Sequence, residues 1–134
     1  MALTSTKLTN NQQTVLDLLE NAKEPLKAYK ILFDTQKKGI TAPPQVYRAL
    51  DKLIEIGKVH KIESKNSYIA CTHKNCNSST NTAFLICESC DQVSELTQKN
   101  LPSYFAKQSD QANFKYAKHN LEIYGICINC KSKN

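Results

Sequence analysis

The sequence predicts an α+β fold in two parts, and three observations carry the prediction. Three stretches of helical periodicity are followed by two short β-branched runs, the order of a winged helix-turn-helix. The second half mixes strand-like runs with one helical stretch, as a small α/β unit would. All six cysteines, at 71, 76, 87, 90, 127 and 130, lie in that second half. Two units within 134 residues cannot each bury a large core. Metal, disulfides or a partner subunit should then add stability.

The elements follow in order. Thr9 with Gln12 three residues on is a capping-box start, and Val15, Leu16, Leu18, Leu19 and Ala22 continue as a helical stripe. Pro25 suits the first position of a second helix, with Leu26, Tyr29 and Phe33 as its apolar face and Gly39 as its end. Pro43-Pro44 open a third helix that Gly57 closes. Val46, Ala49, Leu50, Leu53 and Ile54 fall on one side of it, and Arg48, Asp51, Lys52 and Glu55 on the other. KVHKIES and SYIAC, joined at Lys65-Asn66, read as a hairpin, the wing. Residues 72–81 are polar and turn-rich, a linker between a first domain at 1–71 and a second at 82–134. TAFLIC and QVSEL read as strands around CESC, residues 97–110 as a helix interrupted near its start by Pro102, and FKYAKHNLEIYGIC as further strand.

Several classes are excluded early. No apolar run approaches the roughly 18 residues of a membrane span. MALTSTKLTN lacks the pattern of a secretory signal, which points to a cytoplasmic, reducing setting where cysteines remain thiols. There is no phosphate loop and no hydrolytic triad, so no enzyme is expected. The net charge of +6 is compatible with nucleic acid, and the surplus is four in residues 1–71 against two in 72–134. Arg48 is the only arginine, and arginine's planar fork is the side chain best suited to reading guanine.

Cys87-Glu88-Ser89-Cys90 and Cys127-Ile128-Asn129-Cys130 are two C-x-x-C knuckles separated by 36 residues. Each aims two thiolates at one ion from a tight turn, and together they complete a closed, structural four-sulfur zinc site. The competing redox reading is weaker because neither pair is expected to open a helix in a βαβ unit. Cys71 ends the wing and His60 lies on its first strand, so the hairpin can bring a sulfur and an imidazole together, a donor set suited to zinc. The alternative is a small buried cysteine and a wing histidine over DNA.

PPQVYRALDKLIEIGKVHKIESKNSY, followed by CESC, HNLEIYGIC and the second C-x-x-C, resembles the ferric uptake regulator (Fur) superfamily. LTNNQQTVLDLL and EPLKAYKIL resemble its first two helices, and VHKIESKNSYIAC is most similar to its zinc uptake regulator branch. The resemblance implies a homodimeric repressor that binds palindromic operator DNA when zinc-loaded and turns off zinc-uptake genes. It implies two Zn2+ per subunit, no membrane and no small-molecule substrate. It places the structural zinc on Cys87, Cys90, Cys127 and Cys130, and a regulatory zinc on His60, Cys71, a hinge ligand and Glu95. Where the branch has its hinge His, this chain has Thr80; Cys76, or alternatively His73, is the replacement. A further site that relatives build around a His aligned with His119 is not expected, since Tyr124 stands where some have another His. His119 is read as structural. For DNA, Arg48 and Tyr47 are the base-contact candidates with Gln45 beside them, and Lys52, Lys58, Lys61 and Lys65 the phosphate contacts. The competing readings are an iron, manganese or peroxide sensor of the same superfamily, a repressor that has lost its sensor, and a C-x-x-C thiol-disulfide protein.

Overall fold

A computed structural model describes residues 7–71, 81–96 and 100–131. The chain divides into two compact units, Met1–Ser79 and Thr80–Asn134. The linker expected at 72–81 lies, except for Asn81, outside the described residues.

The first unit is helical with a three-stranded sheet. Helix α1 (Asn10–Ala22) starts at a complete capping box: the Gln12 amide donates to Thr9 Oγ1 at 3.2 Å, and the Thr9 amide to Gln12 Oε1 at 3.0 Å. Its buried stripe is Val15, Leu16 and Leu19. Pro25 does not open the second helix as expected. It precedes a two-residue strand β1 (Leu26–Lys27), paired antiparallel with the wing through Leu26↔Tyr68 and Lys27↔Ser67. Leu26 enters the core from that strand. Proline's fixed φ and missing N–H suit the approach to a strand as well as the first turn of a helix, so its presence alone does not choose.

Helix α2 (Ala28–Thr35) therefore begins three residues later than expected and presents a different face. Ile31 and Thr35, one helical turn apart, are buried, whereas Tyr29 and Phe33 are 73% and 69% exposed. The buried Thr35 hydroxyl donates back to the Ile31 carbonyl at 2.7 Å. A short 3-10 turn (Gln36–Lys38) follows, and Gly39 closes it at φ +97°. Helix α3 (Pro43–Glu55) buries Val46, Ala49, Leu50 and Leu53 against α1 and α2, as its pattern predicts. Burying each of the larger of these side chains stabilises by about 1.5–3 kcal/mol. Gly57 ends the segment at φ +83°. Strands β2 (Val59–Ile62) and β3 (Ser67–Ala70) form the wing, joined by a 3-10 turn (Glu63–Lys65) and Asn66 at φ +48°. The sheet order is β1-β3-β2.

The second unit has a three-stranded sheet ordered β5-β4-β6. Strand β4 (Asn81–Cys87) is central, with β5 (Val93–Glu95) antiparallel and β6 (His119–Gly125) parallel to it. A parallel partner needs a crossover, and α4 (Leu101–Gln111) lies in that connection. Pro102 sits in the first turn of α4, where proline's missing N–H costs nothing, so it opens the helix and does not interrupt it. The final strand starts only at His119; residues 114–118 are irregular. A single turn, α5 (Ile128–Lys131), ends the described chain. Among the described residues the buried core here is small: Thr82, Ala83, Phe84, Ile86 and Cys87, all from β4. No described residue of β5, α4 or β6 is fully buried.

Candidate metal centre and nucleic-acid interface

Strand β4 ends at Cys87 and β6 ends two residues before Cys127, so the parallel pairing brings the two knuckles to the same end of the sheet. The Cys87 amide donates to the Gln92 carbonyl and the Glu88 amide to the Gly125 carbonyl, which fixes both turns to the strands. The sulfurs of Cys87, Cys90, Cys127 and Cys130 all lie within 4.8 Å of one another. Cys90 Sγ and Cys127 Sγ are 3.7 Å apart. A tetrahedral ion with bonds of about 2.3 Å sets ligand sulfurs roughly 3.8 Å apart. The donor set and spacing fit one zinc with no open position.

The electrostatics agree. Amide donors surround Cys87: the Cys127 N–H at 3.3 Å comes first, then those of Cys90 and Ser89. They hold its thiol at about 6, so it is a thiolate at neutral pH. Cys130 goes the other way. The Ser89 hydroxyl favours its thiolate, but the sulfurs of Cys127, Cys90 and Cys87, with desolvation, push it up to about 12. Cys90 is also raised: the Gln92 amide lowers it, and the Cys87 sulfur, desolvation and the Cys127 sulfur outweigh that. Four sulfurs this close cannot all carry charge without a cation between them.

The second knuckle opens a single helical turn, with the Cys130 and Lys131 amides bonded to the Cys127 carbonyl, and among the described residues no strand follows it. Neither pair therefore opens a helix within a βαβ unit among the described residues. The convergence of four sulfurs, which a two-thiol exchange site does not need, is a second argument against a redox pair.

Wing residues His60 and Cys71 sit as the hairpin offset predicts. His60 pairs with Ile69, and the Cys71 amide donates to the Lys58 carbonyl at 2.9 Å. Cys71 is two residues beyond Ile69, on the same face of the sheet as His60 and diagonal to it. His60 is buried and Cys71 half-buried. Cys71 departs from the expectation of free thiols, because its sulfur is disulfide-bonded. Glu95 is on β5, opposite Phe84 and half-buried. Cys76, His73 and Thr80 lie outside the described residues.

The α3 surface carries Arg48 and Tyr47, both exposed. Gln45 is engaged elsewhere. Its Oε1 accepts the Thr41 and Ala42 amides at 2.8 and 2.9 Å, so its carbonyl caps the helix and only its amide nitrogen remains for DNA. Lys52 is 3.7 Å from Glu55, and Lys61 is 3.4 Å from Glu63 with its ammonium over the Tyr68 ring. Such partly exposed pairs are weak, and a phosphate can compete for either lysine. Lys65 is half-buried in the wing turn and Lys58 is exposed before β2. Tyr29 and Phe33, core residues by periodicity, stand exposed on α2, with Lys30 at 5.6 Å over the Phe33 ring. Only the β1 pairing, invisible in a two-residue run, reveals the true phase of α2. His119 is held by Tyr116 and Asn81 within the second unit. Tyr124 is exposed, its hydroxyl donating to Glu122 at 2.8 Å.

Among the described residues no helix is long and apolar enough to cross a membrane. Comparison with known proteins gives a consistent result. The chain is 33% identical over 125 residues to the zinc uptake regulation protein of Escherichia coli K12, covering 92% of this chain and 72% of that protein. The crystal structure of holo XcZur superposes with a TM-score of 0.87 at 36% identity, over 96% of this chain and 89% of that one. A zinc uptake regulator complexed with zinc and DNA gives 0.85 at 30% identity, over 95% and 85%. Residues 4–124 match the ferric uptake regulator family, and with two units of this fold and a four-sulfur cluster in the second, the chain belongs to that family.

Proposed function

We propose that this chain is a zinc-responsive transcriptional repressor of the zinc uptake regulator type, acting in the cytoplasm as a homodimer on palindromic operator DNA. The observation that carries this reading is the wing. An imidazole and a sulfur share one face of the hairpin that belongs to the DNA-binding unit itself. Metal binding there acts directly on the part that meets DNA. The relatives named above supply the corepressor: proteins that share a third of this sequence bear the name of zinc uptake regulators.

In this reading each subunit holds two zinc ions with different roles. Cys87, Cys90, Cys127 and Cys130 bind the structural one. His60 and Cys71 in the first unit, Cys76 in the linker and Glu95 in the second unit bind the regulatory one, with His73 as the alternative to Cys76. A zinc ion supplies four-coordinate bonds to these donors and no redox chemistry. Ligands drawn from both units are satisfied together in only one arrangement of the units, so differential affinity shifts the population toward it. That arrangement sets two α3 helices about 34–36 Å apart on the duplex. Cys71 must be a thiolate to serve, so the sensor works in its reduced form.

Dimer formation has physical support in the second unit. Leu85, Ile123, Tyr124, Ile126 and Ile128 are exposed there, and among the described residues the core is confined to β4. A unit of this size needs a further apolar surface to cover that face.

The test is His60→Ala, handled in reductant. Regulatory zinc should be lost and structural zinc kept, leaving one zinc per subunit by elemental analysis. Operator affinity should then be weak and indifferent to added zinc. A variant that still binds two zincs and responds to chelation would remove His60 from the sensor.

A further inference from the structure

The parallel pair of β4 and β6 has an unsolved problem of register. Hydrophobic patterning pins a strand when one of its faces is buried, and within one subunit no residue of β6 is buried. Yet a slip of one residue would move Cys87 by about 3.3 Å relative to the second knuckle. Metal–ligand distances tolerate only about 0.2 Å.

At the opposite end of the sheet from the cysteines, the first two rungs are bridged by side chains. Asn81 pairs with His119, and its Oδ1 accepts both the His119 amide and the Tyr116 hydroxyl, each at 3.1 Å. Tyr116 Oη is also 2.6 Å from His119 Nδ1. On the next rung Thr82 Oγ1 donates to Asn120 Oδ1 at 2.5 Å. The Phe105 ring of α4 packs edge-on against the imidazole at 4.9 Å. The bonds that Asn81 and Thr82 make to residues 116–120 exist in one register only.

We propose that Asn81, Tyr116 and His119 form a polar clasp that sets the register of β4 on β6, and so positions Cys87 opposite the second knuckle for metal. The inference rests on reading the four cysteines as a zinc site. The clasp residues touch no ligand; they are positioning residues that act through the strands. Loss of the clasp lowers the fraction of chain in the competent register, and apparent affinity falls by that fraction.

The test uses the zinc-loaded full chain in reductant, titrated with a chromophoric chelator, reading the tighter of its zinc ions. Asn81→Ala removes the acceptor of two bonds and should weaken that zinc by about tenfold. Asn81→Asp keeps the acceptor oxygen and should restore affinity to within about twofold. Tyr116→Phe, which keeps the ring, should cost about threefold and serves if the alanine variant does not fold. Exchange with Co2+ should give the same thiolate-to-metal absorption in all variants, because the four sulfurs are unchanged. Alanine and wild type binding equally, or aspartate no better than alanine, would overturn the clasp. A wild type without the four-thiolate cobalt spectrum would overturn the zinc reading instead.

Discussion

Cys127→Ser should empty the structural site and unfold the second unit while the first stays folded. The four sulfurs converge on one point, and serine at 127 keeps the backbone amide but removes one of the four thiolates. Among the described residues, the buried ones in that unit are few and come from a single strand. In small metal-folded domains the bound zinc contributes on the order of 10 kcal/mol, more than such a core can replace. The first unit is independent, since Val15, Leu19, Ile31, Leu50 and Leu53 form a core of their own. Far-UV circular dichroism should retain the helical signal of α1 to α3, while zinc content and the dimer fraction by light scattering both collapse. A variant with wild-type zinc and an intact dimer would show that the cluster is not what holds this unit. Acid should act in the same direction: Cys87 is a thiolate above about 6, and protonation below that value competes with the ion.

Arg48→Ala should abolish or relax operator recognition without touching zinc content or dimerisation. Arg48 is exposed on α3 and lies apart from both cysteine groups in the sequence. A bidentate arginine–guanine contact contributes about 1–3 kcal/mol of discrimination, and a dimer makes it twice. Fluorescence anisotropy against operator and scrambled duplexes should show the preference for operator fall by at least about tenfold, with non-specific binding little changed. Lys61→Ala should differ in kind, weakening both duplexes alike and lowering the salt dependence. Unchanged operator preference in Arg48→Ala would move base reading to another residue.

The parts legible in the sequence are those set by short-range rules. The capping box at Thr9, the glycine stops at Gly39 and Gly57, the buried side of α3 and the wing turn at Asn66 each follow from residues a few positions apart. The four-sulfur site is legible because each knuckle is local and four thiolates have one common use. What stays hidden depends on distant pairing. Leu26 reads as the start of a helix until Tyr68 is seen beside it, and that shift turns Tyr29 and Phe33 outward. Pro102 is compatible with both a helix start and a break. The clasp joins Asn81 to residues 35 and 38 positions away, with no spacing rule to announce it. Gln45 is readable as a cap, because a glutamine at the third helical position can reach back to the amides that precede the helix, here those of Thr41 and Ala42.

The central claim is that zinc at the wing governs DNA binding, and operator affinity measured together with zinc content tests it most directly. The reduced, fully loaded dimer should contain two zincs per subunit and bind its palindrome. Mild chelation should remove one zinc, leave the dimer intact and weaken operator binding by about 5- to 150-fold, the usual range of a coupling between two sites. One zinc per subunit throughout, with operator affinity indifferent to chelation, would contradict the account.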